Sequence, residues 1–367
     1  MDDVVHPHVT LVTVTYGDRV HLCSETVDRA VAAGVEHVVV VGNGLGPSQK
    51  DALEGFLRDH RAATEYIDLP FNYGSAGGYH VGIGRAAEKA RLILLLDDDN
   101  HVEPSFLDTM LATKEDLDSR LGGDFSVCGM RTKDPQHRSS VARGRSFPPA
   151  GSFMYFDLLQ RVGRGRPGPE PEPDRLLSIP YAPYGGLLLS AALVRRVGLP
   201  RPEFILYEDD TEFTSRVAEQ SGIFLCPDAV VSDADGKWTE VGEGRLQSLG
   251  PGRMVLSDSD ARLYYSTRNR VCFDLARARG MNRARFLMNI TIFTMILVIA
   301  GSLLRRWGNL RLLGGAFVDG LRGRLGIHQL DGALQLEELR PNMILDPAVL
   351  DPEVGVLDAA RVGGQGQ

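Results

Sequence analysis

Short apolar runs alternate with helical segments along the first hundred residues. Residues 9–15 (VTLVTVT) and 37–41 (HVVVV) are β-branched runs of strand length; residues 20–34 between them carry apolar positions at helical spacing and end on a glycine. This predicts a β-α-β unit. A second helix is expected over 49–62, followed by a short strand at 65–68, a glycine-rich turn opening another helix, and an entirely apolar strand at 92–96. Strands with no polar positions belong in the middle of a mainly parallel sheet covered by helices, so the expected fold class is α/β. Further on come Gly185-Gly186, an apolar run, a helix over 190–197 and a polar-start helix over 207–216.

Two stretches break this rhythm. Residues 144–175, including RPGPEPEPDR, are rich in Gly and Pro and read as an exposed insertion or flap beside the site, with a plain linker as the alternative. After Trp238 the chain turns helical and basic, and beyond about residue 330 it becomes acidic with scattered Pro and Gly. The expected organisation is an α/β domain over 1–245, a helical basic region over 246–330 and a mobile acidic tail over 331–367.

Charge sharpens this division. The net charge is -8 over 367 residues, yet the stretch 262–324 holds twelve arginines against only Asp274 and Asp319. That segment carries about +10, leaving about -18 for the rest. Within it, residues 286–304 run nineteen positions without a formal charge, bracketed by Arg283 and Arg285 on one side and Arg305 and Arg306 on the other. The run is long enough to cross a bilayer. Asn289, Thr291, Thr294 and Ser302 weaken that reading, and residues 310–325 resemble a basic interfacial helix. A helix lying in the membrane face is the leading expectation, with a true span or a buried helix as alternatives. No aromatic or groove-reading motif accompanies the arginines, so a nucleic-acid partner is not expected. Cys23, Cys128, Cys226 and Cys272 are scattered without ligand spacing, and the polar, acidic start lacks the pattern of a secretory signal. Both features point to a cytoplasmic protein with reduced thiols.

In open parallel sheets chemistry gathers at the carboxyl ends of the strands. Four polar clusters fall there: Thr15-Tyr16-Gly17, Gly42-Asn43-Gly44, the loop from Asn72 to Gly78, and Asp97-Asp98-Asp99-Asn100. Three adjacent aspartates after an uncharged strand repel one another unless a cation is present. Oxygen ligands so spaced suit Mg2+ or Mn2+, which also bind a substrate diphosphate; a solvated acidic turn is the alternative. Glu208-Asp209-Asp210-Thr211-Glu212 opens a helix, where capping accounts for one or two acids but not four. A carboxylate there can take a proton from an acceptor hydroxyl. Asp233-Ala234-Asp235-Gly236-Lys237-Trp238 follows another apolar run and is otherwise a turn. The glycines between Asn72 and Tyr79 let backbone approach a nucleotide or phosphate closely. Gly42-Asn43-Gly44-Leu45-Gly46 lacks dinucleotide-fingerprint spacing, and no P-loop, GxSxG or HExxH occurs.

Taken in order, VTVTYG, VVVVGN, FNYGSAGGYHVGI, LLLDDDN, YGGLLLS and LYEDDTEFTSR resemble the inverting glycosyltransferase family 2, over roughly residues 9–238. The resemblance implies a GT-A fold, a Rossmann-like mainly parallel sheet with flanking helices, here followed by a C-terminal helical membrane-associating region. It implies Asp97 and Asp99 as ligands of Mn2+ or Mg2+ on the donor diphosphate, with Asp98 near the donor sugar or ribose. Asp210 is the implied base, with Asp209 and Glu212 orienting the substrates. Asn72, Gly77 and Gly78 become donor contacts, with Thr15 against the nucleoside and Asn43 beside it. Tyr207, Glu208 and Trp238 are the candidates for acceptor contact. The chain departs from the family in having Gly42-Asn43 where many members have Asp-Asn. It also offers Asp233 where galactofuranosyl members place a histidine ligand; an aspartate still serves Mg2+ or Mn2+. YYSTRN (264–269) and AFVDGLRG (316–323) resemble the C-terminal region of rhamnosyl- and galactofuranosyltransferases of cell-surface polysaccharide assembly. They imply a lipid-linked oligosaccharide acceptor at the inner face of the cell membrane, and oligomeric state stays open, a homo-oligomer included. A nucleotidyltransferase also uses paired aspartates on such a sheet, but would carry a basic glycine-rich loop at the first strand. A catalytically silent scaffold of polysaccharide assembly is the alternative from another class.

Overall fold

The computed structural model describes residues 9–60, 62–143, 149–163, 177–234, 254–278, 281–328 and 356–358. Trp238, and Asp235 to Lys237 before it, lie outside these residues. The chain alternates β1 (Val9–Thr15), α1 (Val20–Ala32), β2 (His37–Asn43), α2 (Pro47–Arg58), β3 (Ala63–Leu69), α3 (Gly74–Lys89) and β4 (Leu92–Leu95). It continues with β5 (Asn100–Val102), α4 (Phe106–Leu121), β6 (Ser126–Arg131), α5 (Pro135–Arg143), α6 (Leu158–Val162) and β7 (Leu177–Ile179). Then come β8 (Leu187–Ser190), α7 (Ala191–Val197), α8 (Asp209–Gln220) and β9 (Ile223–Asp233). The basic region forms α9 (Asp260–Arg277), α10 (Met281–Leu303) and α11 (Trp307–Leu321), and β10 is Val356–Asp358.

These strands form one sheet in the order β10-β3-β2-β1-β4-β8-β6-β9-β5, with β7 also on β9. β3, β2, β1 and β4 run parallel, as do β6 and β9, while β8 lies antiparallel between β4 and β6. β10, in the acidic C-terminal stretch, pairs antiparallel with the outer edge of β3. This is the α/β layering expected from the apolar runs, and its cause is visible in the alternation of side chains. Val12, Val14, Val39, Val41, Ile93 and Leu95 pack on one face against α3, α7 and α8. Leu11, Val38, Val40 and Leu94 pack on the other against α1, α2 and α4. α3 lies close to β1 because it offers glycines there: a Cβ at Gly78 would come within 2.5 Å of Val14.

A third core joins α9, α10 and α11 to residues 149–163. Phe153, Met154 and Phe156 are buried with Phe286, Phe293, Leu297 and Leu313. The expected exposed flap is therefore packed over residues 151–158, while Leu159 and Val162 of α6 stay exposed. Its apolar residues close the third core, and it is further tied down where the Asn289 amide donates to the Gly151 carbonyl and accepts from Leu158 N–H. α10 buries one stripe, Phe286, Asn289, Phe293 and Leu297, while Leu287, Met295, Val298, Ile299 and Leu303 are exposed. The residues Asn282–Leu303 meet the length and apolarity needed to cross a membrane.

A carboxylate-lined candidate active site

A cavity of about 810 Å³ opens where β1 and β4 end, bounded by the start of α8, the end of β9 and residues 131–140. Asn43, Asn72, Asp97, Asp98, Asp99, Tyr207, Glu208, Asp209, Asp210 and Asp233 all line it. The strand-end clusters picked out from the sequence are thus brought together. Four of the expected residues stand elsewhere. Gly77 and Gly78 lie inside the first turns of α3, which begins at Gly74 and rests on β1. Thr15 sits behind the triplet, donating to Asp98 Oδ2 at 3.0 Å. Glu212 receives Arg216 in a two-point ion pair one turn along α8. Asn43 and Asn72 bind each other: the Asn43 amide donates to Asn72 Oδ1 (3.1 Å) and to the Gly74 carbonyl (3.0 Å), which shapes the glycine loop.

Each carboxylate of the triplet meets a cation supplied by another element. Arg19, just before α1, donates to both Asp98 oxygens and, at 2.8 Å, to Asp99 Oδ2. Arg131, at the end of β6, bridges Asp97 Oδ2 (3.0 Å) and Asp233 Oδ1. Asn100 completes the link, since β5 pairs with β9 and its amide donates to Asp233 at 3.2 Å. Neither arginine was singled out from sequence; the one available signal was an arginine at or just past a strand's carboxyl end. Gly185 makes room for the cluster. A Cβ there would stand 2.3 Å from Asn100 Oδ1, 2.4 Å from Arg131 Nη1 and 2.7 Å from Asp97 Oδ2. Gly185→Ala is accordingly expected to cost about 1–3 kcal/mol of stability, measured by thermal unfolding.

The donor set suits a divalent cation. Asp97, Asp98, Asp99 and Asp233 face two guanidinium groups, Arg19 and Arg131, so the cluster keeps an excess of two negative charges. That excess shows in Asp99, whose carboxyl is pushed up to about 6, by burial first and then by Asp97. Carboxylate oxygens are the ligands that Mg2+ and Mn2+ prefer. Among the described residues, no three acidic, His or Cys side chains converge on one point, because Arg131 stands between Asp97 and Asp233. Asp97, Asp99 and Asp233, the ligands expected from the sequence, are the residues that would hold an ion only with Arg131 displaced from between Asp97 and Asp233.

Across the cavity, Asp209 and Asp210 begin α8, where they meet the positive end of the helix. Burial nevertheless pushes both carboxyls up, and in Asp210 the neighbouring charges of Asp209 and Glu208 push further. The Ser75 hydroxyl, from the first turn of α3, donates to Asp209 Oδ1 at 2.9 Å and ties the start of α3 to the start of α8. Ser75 was legible only as part of a loop, not as a partner of Asp209, 134 residues away. Tyr155, Tyr181 and Tyr184 add aromatic surface to the wall on this side.

Fold and site together define an α/β protein with a carboxylate-lined cavity at the carboxyl ends of its parallel strands. No family model and no curated protein matches the chain. Among solved structures, the crystal structure of GalNAc-T7 with UDP, GalNAc and Mn2+ aligns at 12% identity and TM-score 0.42, covering 61% of this chain and 42% of that one. The crystal structure of a mycobacterial protein aligns at 13% identity and TM-score 0.39, covering 66% and 73%. The chain thus spans less than half the length of the first. Likenesses this slight assign no function.

Proposed function

We propose that the protein is an inverting, metal-dependent glycosyltransferase of the GT-A kind, moving a hexose from a nucleotide-diphosphate sugar to a hydroxyl. One observation carries the reading: a single cavity holds both the aspartate triplet and the raised pair Asp209–Asp210. The donor diphosphate lies by Asp97 and Asp99, and its sugar reaches toward α8. Asp210 takes the proton of the acceptor hydroxyl while that oxygen bonds to the anomeric carbon, and the bond from that carbon to the diphosphate oxygen breaks. Attack opposite the leaving group inverts the centre. A carboxylate whose pKa is raised by burial and by neighbouring charges is the better base for this step. A divalent ion held by Asp97, Asp99 and Asp233 would screen the charge that develops on the leaving diphosphate. Arg19 and Arg131 keep the carboxylates in place and supply further positive charge beside them.

The favoured donor sugars are galactofuranose and rhamnose, and the favoured acceptor is a lipid-linked oligosaccharide used in cell-surface polysaccharide synthesis at the cytoplasmic membrane face. The exposed side of α10 supports the membrane part of this reading, together with exposed arginines 283, 305, 306, 311, 322 and 324 around it. Incubation of the purified protein with nucleotide sugars, UDP-galactofuranose and dTDP-rhamnose among them, with and without Mn2+, tests the reaction. The expected result is Mn2+-stimulated release of nucleoside diphosphate from one donor; no release from any of them rejects it. Flotation with vesicles rich in anionic lipid tests the attachment. Binding is expected to weaken several-fold between low and high salt, whereas failure to bind at low salt would count against it.

A further inference from the structure

The three residues Arg268-Asn269-Arg270 of α9 do no chemistry in the reading above, yet all are buried. They meet the turn that leads into α8. In that turn Ile205, Tyr207 and Glu208 have φ of 65°, 65° and 62°, positive values that side-chain-bearing residues rarely adopt and that surrounding contacts must hold. From one side, Ala76 N–H donates to the Ile205 carbonyl at 3.2 Å, and Gly74 leaves space for that carbonyl. From the other side comes α9. The Asn269 amide reaches the carbonyls of Phe204, Leu206 and Tyr207 at 2.8, 2.9 and 2.8 Å, and Arg268 Nε holds its oxygen at 2.9 Å.

Arg270 adds a charge to this hold. Its guanidinium donates to Glu208 Oε2 (3.1 Å), Asp274 Oδ1 (2.9 Å), the Tyr155 hydroxyl (2.9 Å) and the Tyr181 hydroxyl (3.1 Å). It also lies 4.2 Å from the centre of the Tyr155 ring. Tyr155, Tyr181 and Glu208 all line the cavity, so one buried cation touches three parts of its wall on the side of Asp209 and Asp210.

We infer that Asn269 and Arg270 are positioning residues for the Asp209–Asp210 pair: the basic helical region completes the active site as well as carrying the membrane-facing surface. The inference rests on the proposed role of that pair. Asn269 sets the direction in which the turn delivers the two aspartates, and Arg270 balances the charge of Glu208 next to them. A shift of about 1 Å in such groups lowers turnover roughly a hundredfold without any loss of substrate contacts.

The test compares full-length Asn269→Ser, Tyr155→Phe, Arg270→Met and Arg270→Lys with the parent. Readouts are kcat and donor KM from diphosphate release, the pH profile of kcat, and binding of UDP with Mn2+. Expected are a kcat lowered about a hundredfold in Asn269→Ser and Arg270→Met, UDP binding within about twofold of the parent, and partial recovery in Arg270→Lys. Arg270→Met should also move the acid limb of the profile upward, because a positive charge near the pair is lost. Asn269→Ser and Tyr155→Phe leave no charge uncompensated, so they carry the test if Arg270→Met does not fold; Tyr155→Phe should show a smaller fall in kcat. Unchanged kcat in folded Asn269→Ser, or a loss of UDP binding in step with kcat, overturns the inference. Asp210→Asn assayed alongside separates the two levels: if it is inactive while Asn269→Ser is fully active, only the positioning role falls.

Discussion

Asp210→Asn is expected to lower transfer by about three orders of magnitude while leaving donor binding near that of the parent. The amide keeps the shape and the contacts with Thr211 but cannot accept the acceptor's proton. Diphosphate release with saturating donor and acceptor, beside a UDP titration, gives both numbers. Turnover close to the parent's would remove Asp210 as the base. The same residue predicts a pH dependence with a definite sign. Burial, Asp209 and Glu208 all raise its pKa, so the working, deprotonated form appears above the usual carboxylate range of about 4. Turnover should rise with pH through that higher window, and the pair should titrate in two steps belonging to both residues. Asp209→Asn removes one of the charges that raise Asp210, so in that variant the acid limb should move down.

Asp97→Asn should be the second severe change, lowering turnover at least about a hundredfold. It should also abolish most of the Mn2+ dependence of UDP binding. Asp97 is the most open member of the triplet, with 36% of its side chain exposed against 6% for Asp98 and Asp99, and it shares Arg131 with Asp233. Removing its charge leaves Arg131 paired with Asp233 alone and takes away an oxygen directed at the cavity. Calorimetric titration of UDP with Mn2+ or with EDTA reads the effect. Identical binding in the two conditions for the parent protein would contradict a metal held by these aspartates. Arg131→Met is the informative companion, since it frees Asp97 and Asp233 together and should tighten Mn2+ binding measured without nucleotide.

The regular part of the fold was legible because its causes are local. β1 occupies the expected residues 9–15, and β2, β3 and β4 each fall within two residues of expectation. A run of β-branched residues with turn signals at both ends is a strand in almost any context. Residues 151–158 depart from the exposure that nearby Gly and Pro signal, because Phe153, Met154 and Phe156 find a core only when α10 and α11 arrive from 130 or more residues away. The basic segment, expected as a membrane-associating helical region, does not keep its arginines on one surface. Folding divides it: Arg268 and Arg270 are buried, Arg277 and Arg285 pair with Glu219 and Asp157, and six others remain exposed.

The sequence by itself determined the α/β layering and where the acidic clusters stand, since hydrophobic period and strand ends are properties of neighbouring residues. Only the tertiary structure decided what each carboxylate meets. Arg19 and Arg131 reach the triplet across 79 and 34 positions, Ser75 reaches Asp209 across 134, and Asn269 reaches the turn before α8 across more than 60. Such pairings follow from how the sheet and the basic helices pack, and no periodicity within either partner's own segment encodes them.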